Sequence, residues 1–229
     1  MRIVELETHE DWLASRDNVI TGTKAKETKP LARGKNLPMG IYGLLAEAVA
    51  APKEFVQDET PIQRGHRLES IAVEETAKKY KLKLRKLKPQ HTVLWLSDDG
   101  KIGVSPDADE DSDNPTYAVE AKAFDAPKHL MAVLNDWNAR KLPNYNPLNS
   151  LKIGKEDYSQ QVTQYFINPD LQTVYFTLKN EQIIFDNVAH YVIEVKREHV
   201  QEFLDAQIAW EYDAIEKVNR MIETLKEIK

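Results

Sequence analysis

The sequence predicts a single α/β domain, and three observations carry that expectation. Runs of strand length, at 92–96, 101–105, 116–124, 173–178 and 190–196, are interspersed with stretches of helical period at 60–80, 127–139 and 155–167. From Glu198 the chain reads as helical to its end. Leu204, Ile208, Ile215, Val218, Ile222 and Leu225 recur there at spacings of four and three, with Glu211 as a break. No internal repeat and no linker divides the 229 residues, so residues 1–229 are expected to share one core.

Composition narrows the class. Hydrophobic residues make up 41% and charged residues 30%, ordinary for a soluble globular protein. No apolar run approaches the roughly 20 residues of a membrane span, and Met1-Arg2-Ile3-Val4-Glu5 starts no signal peptide. The absence of cysteine removes disulfides, thiolate zinc sites, iron–sulfur clusters and cysteine nucleophiles together, and fits a reducing cytoplasm. A net charge of −6 argues against coating nucleic acid nonspecifically. It leaves room for a local basic channel, because the field is local.

In chain order, Thr8 is placed to cap a helix with Glu10 and Asp11 in its first turn, and Trp12 and Arg16 lie one turn apart. The stretch 18–23 is a strand running into a turn of hydroxyls and a glycine, which grips a phosphate or simply turns. Lys24, Lys26, Lys29, Arg33 and Lys35 follow in a loop or arm with Gly22, Pro30 and Gly34. Pro38 to Ala51 is a short helix. In the helix from Thr60 to Tyr80, at about 100° per residue, Ile62, Gly65, Ala72, Val73 and Tyr80 share a face with Glu69 at its centre. A carboxylate on a buried stripe needs a partner, either an arginine or a metal. His66 is expected at the surface.

The Lys/Leu alternation of 78–88, without an acidic residue, predicts a half-buried strand whose basic outer face guards an edge or binds phosphate. Asp98-Asp99-Gly100 is a turn. The run Asp107, Asp109, Glu110, Asp111, Asp113 begins like a calcium loop, but Ser112 and Ala118 stand where that loop needs Gly and Glu. Residues 109–114 are therefore expected to be an exposed turn. Beyond 127–139 comes an irregular loop over 142–154. In the helix of 155–167, Tyr158, Val162 and Tyr165 form an apolar stripe that contains Gln161.

The chemistry concentrates in Pro106-Asp107 and Glu120-Ala121-Lys122. In the alternating strand 116–124, Tyr117, Val119, Ala121 and Ala123 share one face, so Glu120 and Lys122 point together to the other. An aspartate ending one strand can then meet a glutamate and a lysine on the next. Two carboxylates hold a hard divalent cation, and a lysine beside them positions or deprotonates a water. A hairpin with ordinary surface charges is the alternative. Pro-Asp, spacer, Glu-x-Lys is the pattern of the PD-(D/E)xK nucleases.

The wider set of blocks resembles the phage lambda exonuclease family: Trp12/Arg16 with Ile20-Thr21, Gly65/Glu69, Ser105-Pro106-Asp107, Glu120/Lys122, and Tyr158/Gln161-Val162, all in that family's order. The resemblance implies a restriction-endonuclease-like core, a mixed central sheet flanked by helices. It implies a processive 5′-to-3′ exonuclease acting on double-stranded DNA ends and leaving 3′ single-stranded tails for recombination. Two magnesium ions, replaceable by manganese, a homotrimeric ring, a single-strand annealing partner and a phage or prophage origin belong to the same implication. Residue by residue it assigns Asp107, Glu120, Glu69 and Ala121 to metal, Lys122 to the attacking water and Gln161 to the site lining. Arg16 and Thr23 fall to the 5′ phosphate, and Lys24, Lys26, Tyr158 and a wedge at Ile62 to DNA. Ala108 replaces the family's usual glycine and Ala123-Phe124 its usual Cys-Pro; neither removes a ligand. A structure- or sequence-specific endonuclease, and a non-catalytic DNA-end binding module, remain as alternatives.

Overall fold

The computed structural model of the chain describes residues 1–15, 19–22, 25, 59–87, 92–124, 126–150, 158–181, 183 and 185–228. The expected helix at 38–51 lies outside them, as do Lys24, Lys26, Lys29, Arg33 and Lys35 of the basic arm. So do Arg16 and Thr23.

The described elements follow in order: β1 (Arg2–Leu6), α1 (His9–Ala14), β2 (Ile20–Thr21), α2 (Glu59–Tyr80), β3 (Thr92–Leu96), β4 (Ile102–Val104), β5 (Ala108–Asp109), β6 (Tyr117–Lys122), α3 (Ala126–Ala139), α4 (Pro147–Ser150), α5 (Ser159–Ile167), β7 (Thr173–Lys179), α6 (Asp186–Ala189), β8 (His190–Lys196) and α7 (Arg197–Glu227). The strands form two four-stranded mixed sheets, in orders β1-β3-β4-β2 and β5-β6-β7-β8. In the second, β5 and β6 are antiparallel, β6 and β7 parallel, and β7 and β8 antiparallel. A parallel neighbour cannot be reached by a hairpin, so the chain leaves β6, travels through α3, α4 and α5, and returns as β7.

One core links the sheets, α5 and α7. Trp95, Ile102, Tyr165, Leu178 and Ile193 are fully buried in it. Strand β6 is buried on both faces: Ala118 and Val119, which point to opposite sides of the sheet, are both inside. The helix α5 is buried nearly all round, although it is rich in Gln, Ser and Thr. Such a helix needs partners for its polar groups, and α7 supplies several of them. Gln207 of α7 donates to the Ser159 carbonyl at 2.7 Å and to Thr163 Oγ1 at 2.7 Å, and Thr163 Oγ1 donates to Glu211 Oε1 at 3.1 Å. Glu211, the apparent break in the apolar spacing of α7, is thus the centre of a polar contact with α5.

Burial pushes the Glu211 carboxyl up to about 7, and the bonds from Gln207 and Thr163 only partly offset it. Its folded value stands above the unfolded 4.5, so the fold holds the extra proton between those values. Stability from this group is complete below pH 4.5 and is lost as pH rises through 7. Glu211→Gln should remove a decline on the order of 3 kcal/mol across that window. Chemical denaturation at several pH values, parent against variant, checks it.

Three local expectations are corrected by the structure. Residues 78–87, the described part of the expected strand at 78–88, do not form one. Helix α2 runs to Tyr80, Lys81 takes a left-handed conformation at φ 55°, and Leu82 N–H donates to the Ala77 carbonyl at 2.9 Å. That bond closes a Schellman motif. Beyond it an isolated bridge, Leu84 to Glu110, ties the described part of the segment to the sheet. Nor is 109–114 wholly exposed, because Asp109 is buried. Arg85 Nε donates to both its oxygens at 3.1 and 3.3 Å, and Trp95 Nε1 donates to Oδ2 at 3.2 Å. Arg85, expected on a basic outer face, is spent on this internal pair. Finally, the buried face of α2 runs through Leu68, Ala72 and Thr76, which places Glu69 at its edge with a side chain 30% exposed.

Candidate active site

The register of β5 on β6, with Ala108 opposite Val119, sets Asp107 at the point where Glu120 and Ala121 leave that pairing. Asp107 is exposed, and its Oδ2 accepts the Ala121 N–H at 2.7 Å. In an extended strand the carbonyl of a residue leaves on the same edge as its N–H, so the Ala121 carbonyl is directed to the Asp107 side.

Glu120 is 0% exposed. Lys122 Nζ and Gln160 Nε2, the latter at 2.6 Å, donate to Oε1, and Gln164 Nε2 donates to Oε2 at 3.0 Å. The contact with Lys122 confirms that residues 120 and 122 share one face of β6. Gln160 and Gln164 are one helical turn apart on α5, which is why both amides reach one carboxylate. Helix α2 packs across β6 and β7 and brings Glu69 to the same centre. No arginine pairs with Glu69 among the described residues: both arginines of α2, Arg64 and Arg67, bond Glu181, and the neighbour of Glu69 is His66 Nδ1 at 3.8 Å.

The electrostatics are those of carboxylates crowded around one cation. Burial pushes Glu120 up, Lys122 pulls it back, and Asp107 and Glu69 push it up again. Burial likewise raises Glu69, with Asp107 adding to the rise and Lys122 and His66 opposing it. Burial disfavours the Lys122 ammonium, but Glu120, then Asp107, and also Glu69 outweigh it and hold the cation firmly. Asp107, Glu120, Glu69 and the Ala121 carbonyl offer oxygen donors only, the chemistry a hard divalent cation takes. Among the described residues no three acidic or histidine side chains already lie close enough to grip an ion. Both oxygens of Glu120 accept hydrogen bonds instead, from Lys122, Gln160 and Gln164.

Other expected residues are placed as follows. Trp12 Nε1 donates to Ser105 Oγ at 3.0 Å, so the Trp12 and Ser105-Pro106-Asp107 blocks meet in space. Gln161 is buried, and its Oε1 has no partner among the described residues; the glutamines on Glu120 are its neighbours 160 and 164. Tyr158, expected among DNA contacts, is instead buried, its ring 4.7 Å from that of Phe203 between centroids. His66 is exposed as expected. Ile62 lies in α2, its side chain outside the described residues, as are Lys24 and Lys26 entirely.

Gly22, expected to turn the chain or to help grip a phosphate, meets a further constraint. A Cβ there would lie 2.7 Å from Gln160 Cγ and 2.9 Å from its Cα. Gly22→Ala should therefore push α5 away, cost about 1–3 kcal/mol, and lower turnover by up to about a hundredfold as Gln160 leaves Glu120. Melting temperature and kcat measured together check both parts.

The fold defines the class: a restriction-endonuclease-like α/β protein with a long C-terminal helix. The LHK-Exo structure in complex with dAMP is similar over 95% of this chain and 96% of that one, with a TM-score of 0.67 at 17% identity. The alkaline exonuclease LHK-Exo from Laribacter hongkongensis is similar over 94% and 99%, with a TM-score of 0.61 at 17% identity. A phage-related exonuclease from Haemophilus somnus 129PT follows at 90% and 96%, with a TM-score of 0.58 at 13% identity. The chain belongs to the YqaJ-like viral recombinase domain family, whose profile matches residues 11–169. That membership bears out the resemblance to the phage lambda exonuclease family. No curated protein sequence matches the chain. No helix among the described residues is long and apolar enough to cross a membrane.

Proposed function

We propose that the chain is a magnesium-dependent 5′-to-3′ exonuclease of double-stranded DNA that releases 5′ mononucleotides and leaves 3′ single-stranded tails for strand-annealing recombination. Membership of a viral recombinase family and the exonuclease folds it resembles together support a nuclease role in recombination. The single observation that carries the reading is Glu120 and Lys122 on one face of β6, held by two amides, with Asp107 bonded to the residue between them.

Asp107, Glu120, Glu69 and the Ala121 carbonyl would hold the two ions, for which manganese substitutes. When bound, they supply Lewis acidity at the phosphate and an acidified water. The chain's own residues do the rest. Gln160 and Gln164 hold the Glu120 side chain in place on β6, and Lys122 would exchange its bond to Oε1 for the attacking water when the ions bind. The Lys122 ammonium holds the attacking water against the phosphorus. Water adds to phosphorus, the bond from phosphorus to the 3′ oxygen breaks, and the water's proton ends on that oxygen. Arg16 and Thr23 would grip the terminal 5′ phosphate and set direction, since a guanidinium fork matches a phosphate. Lys24, Lys26 and the wedge at Ile62 would guide the duplex. A homotrimeric ring would keep the enzyme on DNA, and a single-strand annealing protein would receive the tail. The protein would act in the cytoplasm of a bacterial host as a phage or prophage product.

The test is digestion of linear against closed-circular duplex in magnesium. Mononucleotides from linear DNA alone, faster from 5′-phosphorylated than from 5′-hydroxyl ends, are expected. Oligonucleotides, or cutting of the circle, would replace this reading with an endonuclease.

A further inference from the structure

A second cationic feature lies beside the carboxylate centre. Arg67 Nη2 donates to both oxygens of Glu181, at 3.1 and 3.0 Å, and Arg64 Nε donates to Oε1 at 3.3 Å. The three side chains are 39% (Arg64), 53% (Arg67) and 42% (Glu181) exposed, so the cluster stands in water. Pairs this exposed contribute little to stability, and the fold gives no packing reason to converge two guanidiniums on one carboxylate. Their geometry is that of an anion clamp, because a carboxylate and a phosphate offer the same pair of oxygens to a guanidinium fork.

Position strengthens this. Both arginines lie within two turns of Glu69 on α2. Glu181 lies just past the end of β7, and β7 is parallel to β6 with Leu178 opposite Lys122, so the cluster sits at the Lys122 end of the sheet. Gly65, between the two arginines in sequence and one turn before Glu69, would meet no atom within 4 Å if given a Cβ. Among the described residues, therefore, no side chain crowds the helix surface at Gly65, between the clamp and Glu69.

We propose that Arg64 and Arg67 form a binding site for a backbone phosphate of the DNA, separate from the scissile one, and that Glu181 occupies this site until DNA displaces it. The proposal rests on the nuclease reading for its substrate. Glu181 is then an internal competitor. It keeps the guanidiniums aligned and weakens the binding of any phosphate that takes its place.

Binding of a 5′-phosphorylated duplex, followed by fluorescence anisotropy in calcium so that turnover does not enter, tests it. Glu181→Gln should tighten binding about tenfold, and the same substitution in an Arg64→Ala/Arg67→Ala background should have no effect. The arginine variant should bind more weakly, with the slope of log K against log salt shallower by about one, the change expected for one lost phosphate contact. Unchanged affinity in Glu181→Gln with an unchanged salt slope in the arginine variant would leave only a surface ion pair and overturn the proposal. A parent chain that binds duplex but never hydrolyses it in magnesium would overturn the nuclease reading alone. A parent that binds no DNA would overturn both.

Discussion

Asp107→Ala should abolish hydrolysis, a loss of about a thousandfold or more in kcat, without lowering the melting temperature in chelator. The side chain is exposed and, among the described residues, accepts the Ala121 N–H, a bond that water replaces at the surface. Its charge also raises both Glu120 and Glu69, so removing it relieves repulsion inside the folded state. The metal-free variant is expected to be as stable as the parent or more so. Added magnesium should raise the parent's melting temperature and leave the variant's nearly unmoved, because binding stabilises only a state that binds. Substantial residual turnover, or a variant that melts well below the parent in chelator, would remove Asp107 from the centre.

Glu120→Ala should also abolish hydrolysis, but with the opposite effect on the fold. Its carboxylate is fully buried and accepts from Lys122, Gln160 and Gln164. Truncation leaves two amide donors and an ammonium without their acceptor, a cost on the order of 3 kcal/mol. Glu120→Gln keeps the shape and one acceptor oxygen, so it should be equally inactive yet melt closer to the parent. Thermal melts of the three proteins in chelator decide it. Equal stability of parent and Glu120→Ala would mean that the amides have other partners.

The contrast between these two carboxylates was only half legible in the chain. The period-2 alternation of 116–124 predicts that Glu120 and Lys122 share a face, and the structure agrees. From the sequence alone both acids would be expected to tolerate alanine. It is the helix α5, arriving from forty residues away with two glutamines, that buries one and leaves the other in water. The stripe Tyr158, Val162, Tyr165 identifies the apolar side of α5 and draws attention to Gln161 within it. Nothing local says that the opposite side is buried too, so Gln160 and Gln164 were invisible until the sheet was in place. Glu211 likewise reads as a break because its partner Thr163 is distant in sequence. The Lys/Leu alternation after Tyr80 misleads for a different reason. A helix ending in a left-handed lysine and a segment tied down by Arg85 to Asp109 both depend on contacts that periodicity does not encode.

The return of the chain from β6 to β7 has a kinetic consequence. These neighbours are parallel and separated by the whole stretch 123–172, so their pairing closes a long loop before any contact rewards it. Gln160 and Gln164 travel within that loop. The strand carrying Glu120 and Lys122 can therefore pair with β5 while its other edge, and its carboxylate, still face solvent. Folding of this domain should be slow for its size, with the centre maturing in the final step rather than nucleating the first. During synthesis, a chain emerging only as far as β6 would carry Asp107, Glu120 and Glu69 but not the β7 and α5 that close around Glu120.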